Sequence, residues 1–231
     1  MLIAVSSDGV PRLDRRHVRR AQTIEEIVDV AVEVMAEQGA AGLSLGEVAR
    51  RVGIRPPSLY VYFDSKQAVY DAVFARGWSQ VLDTMERLGL PDETTELPAY
   101  LLEFGERFVR WTVEHPVYSQ LMGWRTVPGY VPSPEAYQPA VVVLARCGEV
   151  MGRLQDLGLF DPQIPLDEIV RMWTVVTSGV TSQQLANGPQ EPFEQGAFTT
   201  LMPQIAAMFR AHYAPRSPTP PTRKGRRADQ R

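Results

Sequence analysis

The side chains most able to do chemistry lie between positions 44 and 66, and their chemistry is recognition rather than bond-making. Arg55, Pro57, Ser58, Tyr60 and Tyr62 fall within eight residues. An arginine fork matches the O6 and N7 acceptors on a guanine edge, with a phosphate contact as its alternative. Pro57 offers only apolar contact, for example to a thymine methyl. No arrangement elsewhere supports catalysis. His17, His115 and His212 are far apart, and none forms a His-x-x-x-His or His-Glu pair that would suggest a metal site. No glycine-rich loop follows a strand, so no nucleotide or other cofactor is implied. Cys147, the single cysteine, shares an apolar helix face with Val143, Leu144 and Met151. It reads as a small core residue rather than a nucleophile.

Two short helices joined by a tight turn would hold the recognition residues. Ser44 and Glu47 have the spacing of a capping box. Leu45, Val48, Ala49 and Val52 recur at i, i+3, i+4 and i+7, one buried stripe. Gly53 stands where the chain must turn, and Ile54 can plug the space between the helices. Pro56 and Pro57 open the second helix, where the first N–H groups have no intrahelical partner to lose. This is the layout of a helix-turn-helix, with residues 55–62 expected to enter the major groove of double-stranded DNA.

Ser44, Val48-Ala49, Val52-Gly53-Ile54, Leu59-Tyr60, Tyr62-Phe63 and Ser65-Lys66 together resemble the DNA-binding domain of the TetR family of bacterial regulators. The resemblance implies base contacts from Ser58 and Tyr60, and phosphate contacts from Ser44, Tyr62 and Lys66. It also implies a homodimer whose last two helices pair with their symmetry mates. Gly46 replaces a longer side chain that some members use, which should reduce base reading from the first hairpin helix. Further on, FGERFVRWTVEHPVYSQLM, PGYVPSPEAYQPA and a late Trp-Gly pair resemble the C-terminal domain of the WHG type. Trp173 and Gly179 match, and Ser178 stands where that pattern has His.

Charge is unevenly placed. The chain of 231 residues has a formal net charge of −3, yet residues 71–214 hold 9 basic and 17 acidic side chains, a net of −8. Residues 1–70 hold 9 of each, and residues 215–231 hold 6 basic and 1 acidic. Arg12, Arg15, Arg16, Arg19 and Arg20 precede the first expected helix, while Arg50, Arg51 and Arg55 flank the turn. An acidic body with basic ends suits a DNA-binding module on a larger non-DNA domain. The first five residues are too short for a signal-peptide core and no run reaches membrane-spanning length, so a cytoplasmic protein is expected.

Periodicity predicts an all-α chain of about nine helices: a three-helix helix-turn-helix domain followed by a larger helical domain. The division expected is a flexible basic arm over 1–19, the DNA-binding domain over 20–66, a ligand-binding and dimerisation domain over 67–213, and a disordered basic tail over 214–231. A capping box at Thr23 and Glu26 should open the first helix, whose stripe is Ile24, Ile27, Val28, Ala31, Val34 and Met35. Helices follow from Ser65 to about Leu88, Ala99 to Glu114, through Tyr118–Trp124, from Ser133 to about Leu157, from Leu166 to Ala186, and from Phe193 to Tyr213. Pro203 should kink the last. Val175, Val176, Val180, Phe198, Leu201, Ile205 and Phe209 form the expected dimer face. The arm's arginines could add phosphate or minor-groove contacts, or simply be solvated.

The second half is rich in aromatic side chains. Phe104, Phe108, Trp111, Tyr118, Trp124, Tyr137 and Trp173, with Thr177, either line a ligand cavity or fill the core. The reading that follows is a non-enzymatic transcriptional repressor, released from a palindromic operator by a small apolar or aromatic effector whose identity is open. Two alternatives stand beside it: a DNA-binding adaptor with no small ligand, and a small all-α enzyme with an incidental hairpin.

Overall fold

A computed structural model describes residues 15–215, which form nine α-helices, two short 3₁₀ turns and no strand. The helices are α1 (Arg15–Gln38), α2 (Leu45–Val52), α3 (Pro56–Leu59), α4 (Lys66–Glu86), α5 (Leu97–Glu114), α6 (Pro116–Gly123), α7 (Pro134–Asp156), α8 (Leu166–Asn187) and α9 (Met202–Tyr213). The basic tail from residue 216 and residues 1–14 of the expected arm lie outside the described residues.

Two boundaries differ from expectation. Helix α1 is already formed at Arg15, so residues 15–19 are helix rather than flexible arm. Arginine is a strong helix former, and Arg20 is held from outside the helix by a bond from its Nη2 to the carbonyl of Val61 (3.2 Å). Thr23 is therefore interior, and its hydroxyl donates back to the Arg19 carbonyl (3.0 Å) instead of capping. At the other end, residues 193–198 are not helical. A 3₁₀ turn at Thr199–Leu201 leads into α9, whose first turn contains Pro203. The proline starts a helix there rather than kinking one, since its missing N–H costs nothing in a first turn.

The stripe of α1 packs as its period requires: Ile27, Val28, Ala31, Val34 and Met35 are all buried. Ser65 caps α4 by accepting from the Ala68 N–H (3.1 Å). Helix α4 then packs on α1 and α6 and runs along α7, so one apolar core reaches continuously from Ile27 to Tyr213. Helices α5, α8 and α9 close the far side. Gly105 of α5 is a point of close approach there. A Cβ at that position would lie 2.6 Å from Cζ2 of Trp173 and 2.8 Å from Cε of Met202. Of the expected dimer face, Val180 and Phe209 are buried within the chain itself. The Phe209 ring meets Trp173 edge-on, with centroids 4.9 Å apart.

Candidate nucleic-acid interface and effector cavity

The turn between α2 and α3 is built by local chemistry. Ser44 Oγ accepts from the Glu47 N–H (3.4 Å) and starts α2. Gly53 ends it at φ 78°, ψ 22°, a left-handed conformation that glycine adopts without penalty. Only half of the expected capping box forms, because the Glu47 carboxylate turns to two cations instead of its own backbone. It accepts from Arg50 Nε (2.8 Å) and Nη2 (2.7 Å) and from Arg51 Nε (2.7 Å), and Arg51 also grips Glu37 on α1. Hydrogen bonds from Arg50 and then Arg51 hold the Glu47 carboxyl down at about 2. Arg51 is thus part of the scaffold. The Arg50 side chain, though paired, remains 70% exposed.

Helix α3 is a single turn anchored by one fully buried residue, Leu59. Arg55, Pro56, Pro57, Ser58 and Tyr60 all face outward around it. The chain continues in turns, with Tyr62 and Phe63 donating their N–H groups to the Leu59 carbonyl (2.9 and 3.0 Å). Tyr60 is 56% exposed. Tyr62 is half-buried and lies under the Arg20 guanidinium, 5.5 Å from its ring centre. Lys66 is exposed at the start of α4, and its Nζ donates to the Ala41 carbonyl (3.3 Å). Two residues of the turn before α2 are therefore tied to α4, since Tyr70 also donates to the Ala40 carbonyl (2.8 Å). All seven residues singled out in this segment are solvent-facing in whole or part: Arg55, Pro57, Ser58, Tyr60 and Tyr62 on or next to α3, Ser44 at the start of α2 and Lys66 at the start of α4.

The aromatic residues divide. Phe104, Phe108, Trp173 and Thr177 line a void of about 100 Å³ between α4, α5, α7 and α8, together with Trp78, Met85 and Cys147. Trp124 lines a second void of about 80 Å³, which shares Trp78, Phe108 and Ser178 with the first. Trp111, Tyr118 and Tyr137 line neither. Trp111 stacks on His115 at 4.6 Å, Tyr118 packs against Trp111, and Tyr137 is 52% exposed with its ring stacked on Phe74. Trp78 and Met85 were missed because α4 reads as a connector. Their i, i+7 spacing on it was the available signal. Burial pushes the Cys147 thiol up to about 12, which keeps it protonated and unreactive. Among the described residues there is no group of three or more metal-ligating side chains, and no helix is long and apolar enough to cross a membrane.

Comparison with known proteins follows the same lines. Residues 27–73 match the family model for bacterial regulatory proteins of the tetR family. A segment of 98 residues, 42% of the chain, is 31% identical to the HTH-type transcriptional regulator YobS of Bacillus subtilis and covers 49% of it. Over 47 residues the chain is 38% identical to IcaR of Staphylococcus aureus, a negative transcriptional regulator of the biofilm operon, covering 20% of this chain and 25% of that one. The chain thus spans about half the length of YobS and a quarter of IcaR. In fold it is similar to the transcriptional regulator FadR of Bacillus subtilis in complex with stearoyl-CoA. The TM-score is 0.65 at 14% identity, covering 81% of this chain and 97% of that one. At that identity the likeness is one of fold alone, and the family model stops at residue 73.

Proposed function

We propose that this chain, which belongs to the TetR family of bacterial transcriptional regulators, is a repressor that binds a palindromic operator as a homodimer and leaves it when a small apolar or aromatic molecule enters the α4–α5–α7–α8 cavity. The observation that carries the DNA half is the outward ring of Arg55, Pro57, Ser58 and Tyr60 on a helix pinned by Leu59. On this reading Arg55, Ser58, Tyr60 and Pro57 meet base edges, while Ser44, Tyr62 and Lys66 hold phosphates. The DNA head is residues 20–66, and residues 67–213 form the effector and dimerisation module. Mapping the genomic DNA bound by the full chain, then measuring affinity against salt, tests it. Affinity that falls steeply with salt at a two-fold symmetric site is the expected result. Salt-independent or asymmetric binding would refute it.

The effector half rests on the cavity's lining. Both voids are bounded by aromatic, aliphatic and hydroxyl side chains with no ionised group. At about 100 and 80 Å³ they are smaller than ordinary ligand sites of roughly 300–1,000 Å³. That size favours a small effector, or entry coupled to side-chain movement. It is also the one observation that favours the second reading, a DNA-binding adaptor with no small ligand.

A further inference from the structure

The hydroxyls around the two voids, that of Ser178 excepted, are already committed as donors. Buried Thr177 and Thr181 donate to the carbonyls of Trp173 (2.9 Å) and Thr177 (3.2 Å), and exposed Thr174 donates to that of Val170 (2.9 Å). Thr112 donates to Val109 (2.9 Å), and Ser119 to Thr112 (2.6 Å). Ser178 is exposed. The indole Nε1–H of Trp78 differs from all of them: it is shielded from solvent and has no hydrogen-bond partner. Trp78 borders both voids. A buried donor without a partner is costly, and native proteins rarely leave one so.

Resting on the effector reading above, we infer that Trp78 Nε1–H is the donor that recognises the effector, and that the effector is a small uncharged aromatic compound bearing one hydrogen-bond acceptor, such as an aryl ketone or ester. The absence of ionised side chains around the voids excludes a charged ligand, whose desolvation nothing there would offset. Two rings, Trp78 and Phe108, bound both voids and provide the faces for an aromatic body. The choice of donor also fixes how the signal travels. Trp78 lies twelve residues from Lys66 on the same helix, about 18 Å along its axis. An acceptor bonded to Trp78 acts directly on the element that carries the DNA head.

Acetophenone and α-methylstyrene have nearly the same shape and differ by C=O against C=CH2. Binding of each to the full wild-type chain is measured by calorimetry, and again with Trp78→Phe and Ser178→Ala. Wild type and Ser178→Ala should prefer acetophenone by roughly tenfold. Trp78→Phe should bind α-methylstyrene still and lose the preference. In wild type, one indole N–H resonance in the nitrogen-15 spectrum should move with acetophenone and not with α-methylstyrene, a readout that needs no variant. Equal binding of the two probes, a preference that survives Trp78→Phe, or no binding of either would overturn the inference. A carbonyl preference lost with Trp78, but without release of bound DNA, would sustain the donor role and defeat the effector reading alone.

Discussion

Arg76 of α4 reaches across to Asp29 of α1, with Nη1 2.5 Å from Oδ1, while its Nη2 meets Glu25 at the same distance. The arginine side chain is 15% exposed and both acids are largely solvated. The link stands two residues from Trp78, so the helix lining the cavity is bolted to the helix-turn-helix support at almost the same level.

Replacing Arg76 with Met keeps the apolar stem and removes the ion pairs. Because the acids are solvated, the cost should be modest, about 1 kcal/mol in denaturant unfolding. The larger effect should be on coupling: effector should still bind, but DNA release should weaken. Full retention of release at reduced stability would show that α4 communicates by another route.

Lys66→Ala should weaken binding to all DNA sequences alike and reduce the salt slope by about one unit, as expected for one lost phosphate contact. Its Nζ holds a surface carbonyl, Ala41, at 3.3 Å and lies over the Tyr70 ring, 5.6 Å from its centre, two weak contacts whose loss the fold should survive. A changed sequence preference would reassign Lys66 to base reading.

The helix-turn-helix was legible because its signals are local. Ser44, Gly53 and the Pro56-Pro57 pair each act within one turn of the chain, and all three sit where their spacing placed them. The start of α1 was not legible, since Thr23 and Glu26 mimic a cap that a preceding arginine-rich helix overrides. The cavity was half legible. Phe104, Phe108 and Trp173 have the right character, but Trp111 and Tyr118 share it and pack elsewhere. Whether a ring fills or lines space depends on which helix arrives opposite, and the partner that matters, Trp78, comes from a helix whose period suggested only a link.

Glu47 should give the protein an acid-labile step. Its folded carboxyl titrates near 2, held down first by Arg50 and then by Arg51, against an ordinary 4.5. A depressed folded value contributes stability that is complete above about 4.5, declines as pH falls, and is gone below about 2. Thermal melts of wild type and Glu47→Gln should therefore converge across that window. Melting curves that remain parallel from pH 6 to pH 2 would remove Glu47 from the account.

The last prediction concerns assembly. On α8, Met172 and Val175 are exposed at i, i+3, and so are Leu201, which caps the start of α9, and Met208 within α9, with half-buried Ile205 between them. Val175 is 66% and Met208 72% exposed, values that a lone chain has little reason to give large aliphatic side chains in two aligned rows. Pairing of these rows about a two-fold axis would cover both and bring two copies of α3 to one face of DNA. Val180 and Phe209 are buried inside the chain and leave little surface to offer a partner. Val175→Glu together with Met208→Glu should place like charges in that contact and yield a folded monomer by sedimentation. Operator affinity should drop by at least a hundredfold, since a single half-site loses the joint binding of two linked ones. Helix content should be unchanged, because neither position contributes to the internal core. A double variant that still sediments as a dimer would move the interface to another face.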